Sequence, residues 1–191
     1  MKISPNEFVG YAWILWFASW LLAASWSSRV ERRSRSEADV VYRLLTAAGA
    51  LLLFGLHPPW RWAGTELWRL GNAGAWTLAA VTISGFAFAW WARITLGRLW
   101  SSSVTRKVHH EIISAGPYRV VRHPIYSGIL LSVAATATMR ATAAALVGAT
   151  AIGIGLIVKA RVEERFLRSE LGSDRYDGYA RRVPMLVPFT H

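Results

Sequence analysis

Five apolar stretches, separated by polar segments, set the plan of the chain: residues 8–28, 40–56, 76–92, 125–139 and 141–159. The first runs for about 20 residues, enough to cross a ~30 Å hydrocarbon core and longer than the ~7–15 residues of a cleaved signal core. It reads as a retained first span. The second is interrupted only by Arg43 near its start, where a long side chain snorkels to the interface. Trp90, Trp91 and Arg93 close the third. Arg140 alone divides the fourth from the fifth, which predicts a tight helical hairpin. Small residues recur four apart on the fifth stretch: Ala144 with Gly148, Ala149 with Gly153, and Ala151 with Gly155. Such spacing lets helix backbones approach closely in lipid.

Outside these stretches the pattern changes. His57-Pro-Pro-Trp60 reads as a helix stop followed by interfacial aromatics, opening a loop over 57–74. From Glu163 to Tyr179 the chain is strongly charged but keeps Phe166, Leu167, Leu171 and Tyr176 at helical spacing. That predicts an amphipathic helix leaving the membrane, with Gly172 as a break. Val183–Phe189, holding Pro184 and Pro188, reads as extended. The expectation is an all-α integral membrane protein, one domain over 1–191, with about five transmembrane helices and a cytoplasmic tail.

Composition sharpens this. Hydrophobic residues make up 53% of the chain and mean hydropathy is +0.28, more than a soluble domain of 191 residues requires. The net charge of +11 admits two readings, a nucleic-acid binder or a membrane protein with basic loops on one side. The cationic residues cluster between uncharged apolar runs, which argues against nucleic acid. Eighteen Lys and Arg fall in the first loop, the third loop and the tail, against four on the other side. By the positive-inside rule the N-terminus is outside and the C-terminus cytoplasmic, with the inner (plasma) membrane as location. Eleven Trp fit the lipid–water boundary, and the absence of Cys removes disulfides, thiolate metal sites and thiol nucleophiles. Oligomeric state is not legible.

Two segments carry chemistry. One runs from His110 through Glu111, Tyr118, Arg119, Arg122 and His123 to Tyr126, just before the fourth stretch. The other is Lys159-Ala-Arg161-Val-Glu163-Glu164, just after the fifth. A hairpin returns both to the same membrane face, so residues some 40 apart share one pocket. The plainer reading is that Arg and Glu at helix ends are interfacial anchors or surface ion pairs. The His and Glu spacing matches no helical metal motif, so no metal is expected.

Gly116-Pro-Tyr-Arg-Val-Val-Arg-His-Pro-Ile-Tyr126 resembles the signature of the isoprenylcysteine carboxyl methyltransferase and phospholipid methyltransferase superfamily. His110-Glu-Ile-Ile113 is similar to the His-x-Leu-Val element that precedes it there. Glu163-Glu164, then Leu171-Gly172, Tyr176, Tyr179, Arg182-Val-Pro184 and Pro188-Phe189, resembles the family's C-terminal block. The likeness covers roughly residues 94 to 189, about half the chain. It implies S-adenosyl-L-methionine-dependent methyl transfer at the membrane–cytosol boundary, on a lipophilic or prenylated acceptor. Arg122, His123, Glu163 and Glu164 are the catalytic candidates it implies. The cofactor-binding candidates are His110, Ile112, Ile113, Gly116, Tyr118, His123, Pro124, Tyr126, Glu163 and Glu164, with Lys159 or Arg161 as the basic partner. No Gly-rich strand–helix fingerprint for a nucleotide is present.

The acceptor decides what the site must supply. A prenylcysteine-type carboxylate is already ionised near neutral pH and needs orientation by a cation. A phospholipid amine must first lose a proton, which asks Glu164 or His123 to act as a base. Carboxyl O-methylation ranks first and aminophospholipid N-methylation second. A membrane reductase and a non-catalytic membrane scaffold are the readings from other classes.

Overall fold

The chain enters its first helix through a capping box. Ser4 Oγ accepts from the Glu7 amide, the Ser4 amide donates to Glu7 Oε2 at 2.9 Å, and Pro5 takes the first helical position. This computed structural model describes residues 3–24, 30–33, 37–56, 60, 62–97, 105–107 and 113–190. In chain order they form α1 (Pro5–Ala24), β1 (Val30–Arg33), α2 (Glu37–Leu53), α3 (Asn72–Leu96), β2 (Thr105–Lys107), a 3-10 turn (Gly116–Arg119), α4 (Pro124–Arg140), α5 (Ala143–Leu171) and α6 (Ser173–Ala180). The fold is helical, as the periodicity predicts. The addition is a short antiparallel ribbon pairing β1 with β2, which ties the two basic loops together through Arg32↔Arg106 and Arg33↔Thr105.

Among the described residues, α3 and α5 are long and apolar enough to cross a membrane. With 29 residues α5 is about 43 Å long, so it overshoots a ~30 Å core. Its charged residues begin at Lys159, and the turns from there to Leu171 project beyond the apolar part. Helices α2 and α4 have 17 residues each and α1 has 20.

Two close crossings organise the bundle. Helix α2 runs antiparallel along α5: a Cβ on Gly49 would lie 2.6 Å from the Gly148 carbonyl oxygen, and one on Gly155 would lie 3.1 Å from that of Tyr42. Helix α3 crosses α4 in the same way, where a Cβ on Gly85 would lie 2.6 Å from the Gly128 carbonyl, and Ser132 Oγ donates to the Thr82 carbonyl at 2.9 Å. Gly148 and Gly155 of α5 therefore serve its contact with α2, whereas the sequence pattern attaches them to the hairpin. Among the described glycines of α5, Gly153 is the one where a Cβ would meet α4, at the Leu130 side chain. Helix α1 seals the bundle with Trp13, whose Nε1 donates to Thr136 Oγ1 at 3.0 Å while its ring meets Phe86 and Phe54 edge-on.

The α4–α5 turn is as short as Arg140 implies. Ala141 takes a left-handed conformation (φ 52°) and Thr142 caps α5 by accepting from the Ala145 amide. The segment Trp62–Leu70 lies over this turn: the Leu67 amide donates to the Ala141 carbonyl and Trp68 Nε1 to the Thr138 carbonyl. His57–Pro59, where a helix stop is expected, lie outside the described residues; α2 ends earlier, at Leu53. At the far end of α5, Gly172 (φ 90°) breaks the helix and α6 follows.

Candidate active site

The mouth of α4 is built by the motif before it. Gly116 takes φ 54°, a conformation that favours glycine, and starts the 3-10 turn that buries Pro117 and Tyr118. Pro124 then occupies the first position of α4, with His123 as its N-cap. The C-terminal segment straps across this start. The Arg122 amide donates to the Pro184 carbonyl, the His123 amide to Met185, and Ser127 Oγ to Leu186 at 2.6 Å. The strap is not the plain extended segment expected from Pro184 and Pro188. It bends to place these three carbonyls and turns at Phe189 (φ 65°). Tyr179 of α6 donates to the Tyr118 carbonyl at 2.7 Å, fastening the 3-10 turn as well.

The start of α4 and the stretch of α5 from Lys159 to Glu164 then converge. His123 Nε2 lies 3.2 Å from Glu164 Oε1, and Nδ1 lies 3.6 Å from Glu163 Oε2. Arg122 Nε donates to Glu164 Oε1 at 2.7 Å, and its Nη1 donates to the Ala180 and Val183 carbonyls. Tyr126 donates its hydroxyl to Glu163 Oε1 at 2.5 Å, and its ring stacks on His123 with 2° between planes. One turn before Glu163, Lys159 Nζ sits 5.2 Å from the Tyr126 ring and 5.6 Å from that of Tyr42 on α2.

Burial opposes every charge here, and pairing decides the outcome. Burial disfavours a charged His123, yet its hydrogen bonds and attraction to Glu163 and Glu164 win and hold the imidazole above its usual 6.5. Burial likewise works against ionised Glu164, but hydrogen bonds from His123 and Arg122 hold it down at about 2. Glu163 is lowered too, against its burial, by His123, Lys159 and Tyr126. Pairing thus favours a protonated imidazole between two carboxylates. Further out, a cavity of about 340 Å³ is lined by Arg122, Glu164, Arg168, Asp177, Ala180 and Arg181. Arg168 pairs with Asp177 at 2.7 Å, so Glu164 stands between the buried cluster and a cavity of mixed charge.

The hairpin thus brings together Arg122, His123, Tyr126, Lys159, Glu163 and Glu164. Pro124 is buried beside them, Tyr118 is buried one element away, and Ile113 packs on the main core. Gly116 lies against Thr95 and Trp91. Arg161 is exposed, so the basic residue turned inward is Lys159. His110 and Ile112 lie outside the described residues. No group of His, Asp or Glu suited to a metal occurs among the described residues. Sequence reasoning missed Tyr42, which no motif marks, and the charged residues of α5 and α6 around the cavity. The charge run Arg165–Asp177 is their only trace in the sequence.

Residues 77–169 match the model of the isoprenylcysteine carboxyl methyltransferase family. Methanethiol S-methyltransferase 2 of Bradyrhizobium diazoefficiens is 35% identical over 156 residues, 77% of this chain and 58% of that protein. Protein-S-isoprenylcysteine O-methyltransferase B of Arabidopsis thaliana is 31% identical over 128 residues, 65% of this chain and 62% of the relative. The cobalt-zinc-cadmium resistance protein CzcN of Cupriavidus metallidurans is 31% identical over 150 residues, 76% of this chain and 60% of the relative. The chain thus spans about three-fifths of the length of these relatives. The family match takes in most of α3, all of α4 and most of α5, and over these elements, the His123–Glu163–Glu164 cluster included, the chain is similar to the isoprenylcysteine carboxyl methyltransferase family.

Proposed function

We propose that the protein is an S-adenosylmethionine-dependent methyltransferase that works where the bundle meets the cytosol, on a lipophilic acceptor. The observation that carries this is the buried, fully paired His123–Glu163–Glu164 cluster beside a cavity of both charge signs. In this reading α1, α2 and α4 span the membrane alongside α3 and α5. The N-terminus is outside, the tail lies in the cytosol, and the exposed apolar side chains of α1, Ile14, Leu15 and Leu22 among them, meet lipid.

The residues fit the cofactor's chemistry. Glu163 and Glu164 suit its ammonium group, Arg168 and Arg181 its carboxylate, and the Tyr118 and Tyr126 rings its sulfonium side. Bound there, S-adenosylmethionine supplies a methyl group already activated for in-line displacement. What the chain must add is proximity, orientation and exclusion of water. Arg122 contributes by positioning, since it ties Glu164 to the strap.

The acceptor follows from protonation. Glu164, held at about 2, is a poor base at neutral pH, and pairing with both carboxylates favours the protonated form of His123. That disfavours an amine, which must lose a proton, and favours a carboxylate that arrives ionised. An isoprenylcysteine-like carboxylate therefore ranks first. A small thiol is the second reading, favoured by relatives named as methanethiol S-methyltransferases. The test is transfer of labelled methyl from the cofactor to a panel of prenylated cysteine analogue, methanethiol and aminophospholipid. Base-labile label on the prenylated cysteine is expected. Label confined to the phospholipid would overturn the ranking, and transfer to none of them would overturn the reading.

A further inference from the structure

Among the described residues of the N-terminal half, Tyr42 reaches the Lys159–Tyr126 end of the cluster, and nothing in the family signature points to it. The residue is 5% exposed, and its hydroxyl donates to no acceptor among the described residues, the neighbouring Arg43 guanidinium being itself a donor. Leaving a phenol O–H so buried and without an acceptor costs stability unless something else fills the position. The phenol is held there by the backbone. Gly155 lets α2 approach so closely that the Tyr42 carbonyl lies 3.1 Å from where a Cβ would stand, one turn before Lys159. Lys159 Nζ is flanked by the Tyr42 and Tyr126 rings, and Tyr126 leads on to Glu163.

This places Lys159, whose charge also attracts Glu163, beside a hydroxyl that donates to no acceptor. Both favour negative charge, whereas the two carboxylates repel it. We propose that Tyr42 and Lys159 form the subsite for the anionic nucleophilic end of the methyl acceptor, a carboxylate or a thiolate, with the Tyr42 hydroxyl donating to it. The assignment rests on the methyl-transfer reading above and adds to it an acceptor-binding residue from α2. It also sorts the site: donor toward the Glu164 cavity, acceptor toward α2.

The experiment is Tyr42→Phe in the full chain, purified in detergent. Cofactor affinity is measured by calorimetry, melting without acceptor by thermal scan, and KM and kcat with a prenylated cysteine analogue and with methanethiol. The expected result is a rise of about tenfold in KM for the acceptor that wild type turns over, with kcat and cofactor affinity close to wild type. An unchanged KM overturns the proposal. So does an equal loss of cofactor affinity, which places Tyr42 on the donor side. A lower melting temperature overturns it as well, because the hydroxyl then serves a structural bond. Wild-type protein that binds cofactor yet methylates neither acceptor removes the functional reading together with this inference, a result distinct from a silent Tyr42→Phe.

Discussion

Glu164 serves three partners: Arg122, His123 and the outer cavity. Removing one member of a buried charged group strands the others, at about 3–5 kcal/mol. Glu164→Ala should therefore melt well below wild type and lose methyl transfer. Arg161→Ala, three residues away but exposed, should stay within ~0.5 kcal/mol. Equal behaviour of the two variants in thermal scans would count against the cluster. The pairing also sets a pH window. Glu164 is held at about 2 against a usual 4.5, so its contribution is complete above 4.5 and lost as pH falls toward 2. His123 is raised above 6.5, so its contribution is complete below 6.5 and lost as pH climbs through the raised value. Melting temperature in detergent should peak between these limits, and a maximum at alkaline pH would contradict the pairing.

At the scale of elements, the two glycine crossings are the joints. Gly148 faces the Gly49 carbonyl and the Leu53 amide, so Gly148→Leu should force α2 off α5, at about 1–3 kcal/mol. Gly153 meets only the end of the Leu130 side chain at 3.7 Å, so Gly153→Ala should be nearly silent. Comparing the two variants by thermal unfolding tests which face of α5 is the tight one. This is also where sequence reading stops short. Spacing of Ala144, Gly148, Ala151 and Gly155 says that a backbone comes close, but not which one, because any apolar neighbour satisfies the same pattern. The hairpin turn was legible because Arg140 leaves no room for anything longer. The meeting of His123 with Glu163 and Glu164 followed from that turn. Tyr42 was hidden for the reason that Gly155's partner was: the lateral order of helices is not written in hydrophobic periodicity. The short β1–β2 ribbon escaped too, since four residues of Val-Glu-Arg-Arg give no alternation to read.

At the scale of the whole molecule, the C-terminal segment closes the site that α4 and α5 open. Its carbonyls at Val183, Pro184, Met185 and Leu186 take donors from Arg122, His123 and Ser127, so the last residues hold the first turn of α4 in place. Deleting residues 183–191 should abolish methyl transfer while leaving helical content by circular dichroism nearly intact. Retained transfer would show that the strap is dispensable. In the proposed function, the His123–Glu163–Glu164 cluster and its adjoining cavity hold the methyl donor. The most direct measurement is calorimetric titration of detergent-purified protein with S-adenosylmethionine, alongside Glu163→Gln. Saturable binding to wild type and strong weakening in the variant are expected. No binding to wild type at millimolar cofactor, or equal binding to both, would contradict it.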